Sequence, residues 1–167
     1  VWTSDNNDAR ARHSIMRGAA HFLPLELLGN HVGPKRCHIS GRRFDMAFRA
    51  GTALFGHMGL ELDLSDENEA DRAVLAAAIA LHKRHRLLIQ SGAYHRLETA
   101  PHLKSIGVVA QDRSEALHAA EVVHAVHAPA PGASGRPVPI MLSRVTISAS
   151  CDSLQPSVPS GRIGSTR

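Results

Sequence analysis

The sequence predicts an α/β chain of strand–helix units followed by a β-rich segment. Three observations carry that prediction. A polar cluster, Asp5, Asn6, Asn7 and Asp8, follows a short apolar-aromatic lead and precedes a helical pattern carrying Arg10 and Arg12. Apolar runs of strand length then alternate with helical patterns as far as Gly92, the last of them a long amphipathic helix. Beyond Gly92 the texture changes to two apolar runs separated by a polar corner. Acids and amides at a strand-to-helix junction are where barrel enzymes keep their chemistry, so the opening cluster is the first candidate site.

The elements follow in order. The chain opens at Val1 within what reads as a strand. A helix is predicted from Asp8 to Phe22, with Ala11, Ile15, Ala19 and Phe22 on its apolar face, and Pro24 stops it. Leu25–Val32 reads as a strand and Gly33–Arg43 as a polar loop punctuated by glycine. Phe48–Gly59 suits a short helix or irregular turn, and Leu60–Leu64 a short strand. A long helix is predicted over Asp66–Gln90, capped by Ser65, with Ala70, Val74, Ala77, Leu81 and Leu88 on its stripe. Acids in its first turn and bases near its end suit the helix dipole, and Gly92 closes it. Ile106–Ala110 and Ala116–Val126 form a hairpin if both are strands; the alanine content of the second run fits a helix equally. Residues 131–167 hold five Pro and eight Ser with Asp152 as the sole acid, a composition that predicts poor order.

Composition excludes several classes of function. The 167 residues are 43% hydrophobic but only 4% aromatic, so aliphatic residues and alanine fill the core. The net charge of +4, from 19 basic and 15 acidic side chains, is scattered, which argues against nucleic acid as a partner. No apolar run reaches the length of a membrane span, so no membrane partner is expected. Cys37 and Cys151 lie far apart, which suits a reducing cytosol and a cytoplasmic protein. The missing initiator methionine makes the absence of a signal peptide uninformative.

Each candidate residue has a plainer alternative. Asp5 reads as a turn or cap residue, and Asp8 as an N-cap able to pair with Arg12 one turn later. A calcium loop counted from Asp5 fails, because Ala9, Arg10 and Met16 stand where an oxygen ligand, Gly and Glu are needed. The histidine spacings His82/His85 and His118/His124/His127 lack any zinc pattern, so no metal is expected. His31, at the end of a predicted strand, has the best histidine claim to line a site, with supporting packing its equal alternative. Cys37 and His38 read as loop residues, and Trp2 as core before sugar platform.

Taken with the later segments, the opening motif resembles bacterial family 36 α-galactosidases, the melibiase group. The family pattern S-D-x-x-D-x-x-x-R stands here as Ser4, Asp5, Asp8 and Arg12. LELLGNHVGPKRCHISGRR resembles the family's Met-Gly-x-His-Val-Ser-Pro segment, departing at Leu28 and Gly33. FRAGTALFGHMGLELDL, LHKRHRLLIQSG and GVVAQDRSEAL add further likeness, so the resemblance covers about residues 1–125.

The resemblance implies the C-terminal portion of a (β/α)8 TIM barrel followed by a partial antiparallel β-domain. Residues 1–91 would be barrel, 92–128 β-domain, and 129–167 a poorly ordered, non-familial tail, with a reading-frame slip its proposed origin. It also implies that Ala116–Val126 is a strand. The family hydrolyses terminal α-galactosides with retention, using two carboxyl groups about 5–5.5 Å apart. Asp5 would be the acid/base, Asn6, Asp8 and Arg12 would position it or substrate, and His31 would line the sugar site. The family's Lys-Trp-Asp nucleophile motif and its Cys-x-x-Gly-x-Gly-Arg segment do not occur here. The implied partners are small α-galactosides such as melibiose or raffinose-type sugars, with no cofactor and a homo-oligomer for the full-length protein. A galactosyl-transferring relative and a catalytically dead remnant are the alternatives.

Overall fold

The computed structural model describes residues 1–100, 103–122 and 141–145. Its first half is organised around parallel chain segments. Trp2 bridges Gly29 in parallel, and β1 (Gly29–Val32) pairs in parallel with β2 (His57–Leu60), Gly29 opposite His57 and Val32 opposite Leu60. Three segments therefore run side by side in one direction, with α1 (Ala9–Ala19) and α2 (Met46–Thr52) in the connections. Both strands are shorter than their sequences suggest. Pro24 opens a 3-10 turn over Leu25–Leu27, and the ladder begins only at Gly29. The second strand starts earlier than expected, at His57, and ends at Leu60. Asp63 then accepts from the Ser65 backbone N–H and turns the chain into a 3-10 turn over Leu64–Asp66.

The helices are capped as their sequences allow, with shifts at the ends. Asp8 caps α1 by accepting from Ala11 N–H. The helix ends at Ala19 rather than Phe22, and Phe22 is 87% exposed. Its buried face is Ala9, Arg12, His13, Met16 and Arg17, not the predicted apolar row. An apolar count cannot find that face, because it is centred on a hydrogen-bonded arginine. Asp45 caps α2 through Phe48 N–H at 2.7 Å. The long helix α3 runs Glu69–Ser91 and is capped by Asn68, whose Oδ1 accepts from Asp71 N–H at 2.8 Å. Ser65, the expected cap, lies in the preceding turn. The buried row of α3 is Leu75, Ala78, His82, His85, Leu88 and Ile89, one position on from the predicted stripe at its start, and Val74 faces outward. Gly92 closes α3 in ordinary extended backbone. What requires glycine there is space: a Cβ would lie 2.6 Å from the Leu88 carbonyl oxygen and 2.9 Å from that of Val109.

The second half is an antiparallel sheet in the order β3 (Ala93–Ala100), β4 (Leu103–Val109), β5 (Ala116–Val122), β6 (Met141–Val145). No residue pattern singled out β3, although it falls within the β-domain that the resemblance implied over 92–128. The ambiguous alanine-rich run is a strand over 116–122, because β4 and β6 pair with it on either side and Leu117 and Ala119 join the core. Its last residues, 123–126, lie outside the described residues, as do 129–140 and 146–167 of the expected non-familial tail. Within that expected tail, Met141–Val145 is the edge partner of β5.

One core joins the two halves. Met16, Leu28, Phe48, Phe55 and Ile89 pack in the same cluster as Ile106, Val108 and Leu117 of the sheet. Burial of each such side chain contributes about 1.5–3 kcal/mol. Arg17 donates to the Ser105 carbonyl at 3.0 Å, and His85 Nδ1 lies 2.8 Å from Glu115, across the same seam. Cys37 is a buried free thiol; Cys151 lies outside the described residues. Among the described residues, no helix is long and apolar enough to cross a membrane.

A buried ion pair fixes α2 to the turn before α3. Arg49 donates to both Glu67 oxygens, at 2.6 and 2.9 Å, and to the Gly33 carbonyl at 3.1 Å. Both side chains are almost wholly buried. Removing one partner strands the other's charge, which costs about 3–5 kcal/mol. Glu67→Ala should therefore lower the unfolding free energy by about that amount in a denaturant titration. A loss under about 1 kcal/mol would show that solvent reaches Arg49.

Candidate functional site

The three parallel segments end on one side, and the candidate residues gather there. Asp5 follows the Trp2 bridge, His31 lies near the end of β1, and Glu61 follows directly on β2. Asp5 is exposed, and its Oδ1 accepts the Trp2 indole N–H at 2.8 Å. The Trp2 ring stacks on His31 with centroids 4.7 Å apart and planes 13° apart. His31 Nε2 sits 2.6 Å from Asn7 Oδ1 and 2.9 Å from Glu61 Oε2, while Asn7 Nδ2 donates to Glu61 Oε1 at 3.1 Å. Both neighbours of Nε2 are acceptors, so Nε2 carries the proton in the neutral ring. Nδ1 is then a bare lone pair, buried without a hydrogen-bond partner. Burial and the nearby Arg12 charge hold the His31 ring neutral, its pKa lowered to about 4 despite Glu61 and Asp5.

The rest of the opening motif has structural duties. Asn6 Oδ1 accepts the Asp8 N–H at 2.9 Å, making a turn that aims the chain into α1. Asp8 is 1% exposed and fully engaged, its Oδ1 capping Ala11 and its Oδ2 accepting from Ser40 and from Arg42 Nε at 2.6 Å. Burial alone would raise the Asp8 pKa; the donors from Arg42, Ser40 and Ala11 outweigh it and hold the carboxyl below its usual range. Asp8 and Arg12 do not pair along the helix. Arg12 turns instead to Asn30 Oδ1, the Ser4 and Asn6 carbonyls and Thr3 Oγ1. Among the described residues, no three His, Cys, Asp or Glu side chains are grouped to hold a metal.

The sequence model of the family described as Melibiase matches residues 1–92. The chain belongs to the melibiase family. It is 45% identical over 119 residues to an α-galactosidase of Escherichia coli, covering 70% of this chain and 16% of that protein. Among solved structures it is similar to the family 36 α-galactosidase AgaB of Geobacillus stearothermophilus, with TM-score 0.69 and 33% identity over 77% of this chain and 18% of that one. It is also similar to a variant of AgaA from the same organism in complex with raffinose, with TM-score 0.68 and 31% identity over 76% and 18% of the two chains. The chain thus spans less than a fifth of the length of these relatives.

Within this melibiase frame, Asp5 is the exposed carboxylate of the motif and Asp8 the buried one. His31 sits fully inside, its ring face covered by Trp2. Sequence reasoning missed Glu61 and did not single out Asn7. Glu61 stands near the start of the run expected as a strand over 60–64; because β2 ends at Leu60, it comes instead to the strand-end position that marked His31.

The neutral ring carries a pH dependence. In the unfolded chain His31 takes a proton near pH 6.5, whereas the folded site resists it to about pH 4. Stability is full above pH 6.5 and falls as pH drops toward 4, by about 2 kcal/mol at pH 4.5 from this ring. Comparing wild type with His31→Gln by denaturation at pH 7 and 4.5 should show the variant losing less by that amount. Equal losses would place a charged ring in the folded state.

Proposed function

We propose that this chain is the C-terminal part of the catalytic barrel, with the start of the following antiparallel β-domain, of a retaining α-galactosidase, and that Asp5 is its acid/base. Residues 1–91 supply the last barrel segments and 92–128 open the β-domain. The observation that carries the reading is the site of Asp5: an exposed carboxylate beyond the first of three parallel segments, where barrel enzymes keep their catalytic groups. Trp2 engages one of its oxygens, which leaves the other for substrate. A relative supports the class of substrate, since a variant of AgaA is seen in complex with raffinose.

In the first step the C1–O bond of the galactoside breaks, the nucleophile's oxygen bonds to C1, and the Asp5 proton moves to the leaving oxygen. In the second, water attacks C1, its proton returns to Asp5, and the bond to the nucleophile breaks. No Lys-Trp-Asp segment occurs in these residues, so the nucleophile comes from elsewhere in the enzyme.

The leaving group tests the assignment. Asp5→Asn in the complete enzyme should slow cleavage of raffinose or melibiose by about 10²–10⁴-fold. The galactosylation step with an activated aryl galactoside, which needs little protonation, should slow far less. Equal slowing of both substrates would remove Asp5 from the acid role.

A further inference from the structure

Asp5 stands at the end of a contiguous set of contacts that begins at Glu61. The Glu61 carboxylate spans two groups, accepting from Asn7 Nδ2 through Oε1 and facing His31 Nε2 through Oε2. Asn7 closes the triangle by accepting at the same His31 nitrogen. With Nε2 held from two sides and the ring wholly buried, the imidazole plane is fixed. Trp2 lies nearly parallel on that plane and is itself half exposed, so His31 is the floor that sets its orientation. The indole N–H points along its ring plane to Asp5 Oδ1 at 2.8 Å. A donor of fixed direction at one carboxyl oxygen selects the rotamer and leaves the second oxygen as the one that carries the transferable proton.

We infer that Trp2 is the positioning residue of the acid/base, and that Glu61, through Asn7 and His31, holds Trp2 in place. The inference rests on the assignment of Asp5 proposed above. It gives Trp2 a task other than stacking on sugar, and His31 a task other than touching it. Among the described residues, the charged and titratable groups that interact with Asp5 are Arg12 from α1 and His31 from β1, and Glu61 beyond β2 acts on both of these. Trp2→Phe leaves all of them in place and keeps an aromatic ring over His31, while it removes the N–H together with part of the ring area.

An N–H bonded to a carboxylate favours its charged form. Without it the proton leaves the acid less readily, and the basic limb of the kcat/KM profile moves to higher pH, by about half to one unit. In the complete enzyme, Trp2→Phe should show that shift, with kcat on raffinose down about tenfold and KM little changed. Glu61→Ala should lower kcat the same way, and Glu61→Gln, which keeps one acceptor, should recover part of it.

A raised KM for Trp2→Phe with an unmoved limb would make Trp2 a sugar platform and overturn the inference. Loss of thermal stability in Glu61→Ala with kcat unchanged would overturn the support role. Asp5→Asn, measured in parallel, separates the two levels. If it behaves as an acid/base variant while Trp2→Phe does nothing, only this inference falls. If it slows both substrate classes equally, the assignment beneath it falls.

Discussion

The buried guanidinium of Arg12 is the interaction on which the rest of the site depends. The side chain is 1% exposed, and the hydrogen-bond partners it has among the described residues are neutral oxygens. Its donors go to oxygen dipoles: Asn30 Oδ1 from Nε at 2.7 Å and from a terminal nitrogen, the Ser4 and Asn6 carbonyls at 2.8 and 3.0 Å, and Thr3 Oγ1 at 3.2 Å. Burial lowers its pKa to about 10, with Glu61 and Asp5 opposing that shift from a distance, so it stays charged at neutral pH. The fork ties the loop carrying Asp5 to β1. Asn30 passes the tie on by donating to the Thr52 carbonyl at the end of α2 at 2.7 Å. A lysine has one point charge and could not satisfy this set from one position.

That arrangement explains why one short motif holds two carboxylates in opposite surroundings. Arg12 fixes the backbone of Ser4 and Asn6, which flank Asp5. The turn it holds sends Asp5 outward and Asp8 inward, onto the helix N-terminus and the Ser40–Arg42 loop. Asp8 is spent on architecture: three donors hold it ionised, and an acid that never takes a proton cannot deliver one. Asp5 is exposed and engages Trp2 through Oδ1, which suits the acid role proposed for it.

The sequence made the long-range order legible and the local facings less so. Capping by Asp8 and the closing of α3 at Gly92 were readable, because each is set by neighbours within a few residues; the strand state of 116–122 was not, because it comes from pairing with β4 and β6. The faces of α1 and α3 were not, because their buried rows include Arg12, His13, His82 and His85, polar groups whose partners lie far along the chain. β3 was missed for a related reason: its strand state comes from pairing with β4, not from its own alternation. At the site, the polar turn of Asp5, Asn6, Asn7 and Asp8 ahead of α1 was legible. The meeting of Glu61 and Asn7 with His31 was not, because it depends on the β1–β2 register, and a slip of one residue there would separate all three.

The two departures from the family segment then have unequal meaning. Leu28 in place of methionine swaps one flexible apolar side chain for another of similar volume inside the core, a change that packing tolerates. Gly33 in place of serine sits against the site's own support. A Cβ at this position would lie 2.9 Å from the Asn7 carbonyl oxygen and 3.1 Å from its Oδ1. That Oδ1 is the atom that accepts at His31 Nε2. In this chain the seat of Asn7 is therefore closed tightly over Gly33. Any side chain there must push Asn7 away from His31 or draw the loop outward, and Arg49, which donates to the Gly33 carbonyl, resists the second movement. The glycine and the Asn7–His31–Glu61 triangle form one unit, so a serine at position 33 bears first on the seat of Asn7 and, through it, on His31.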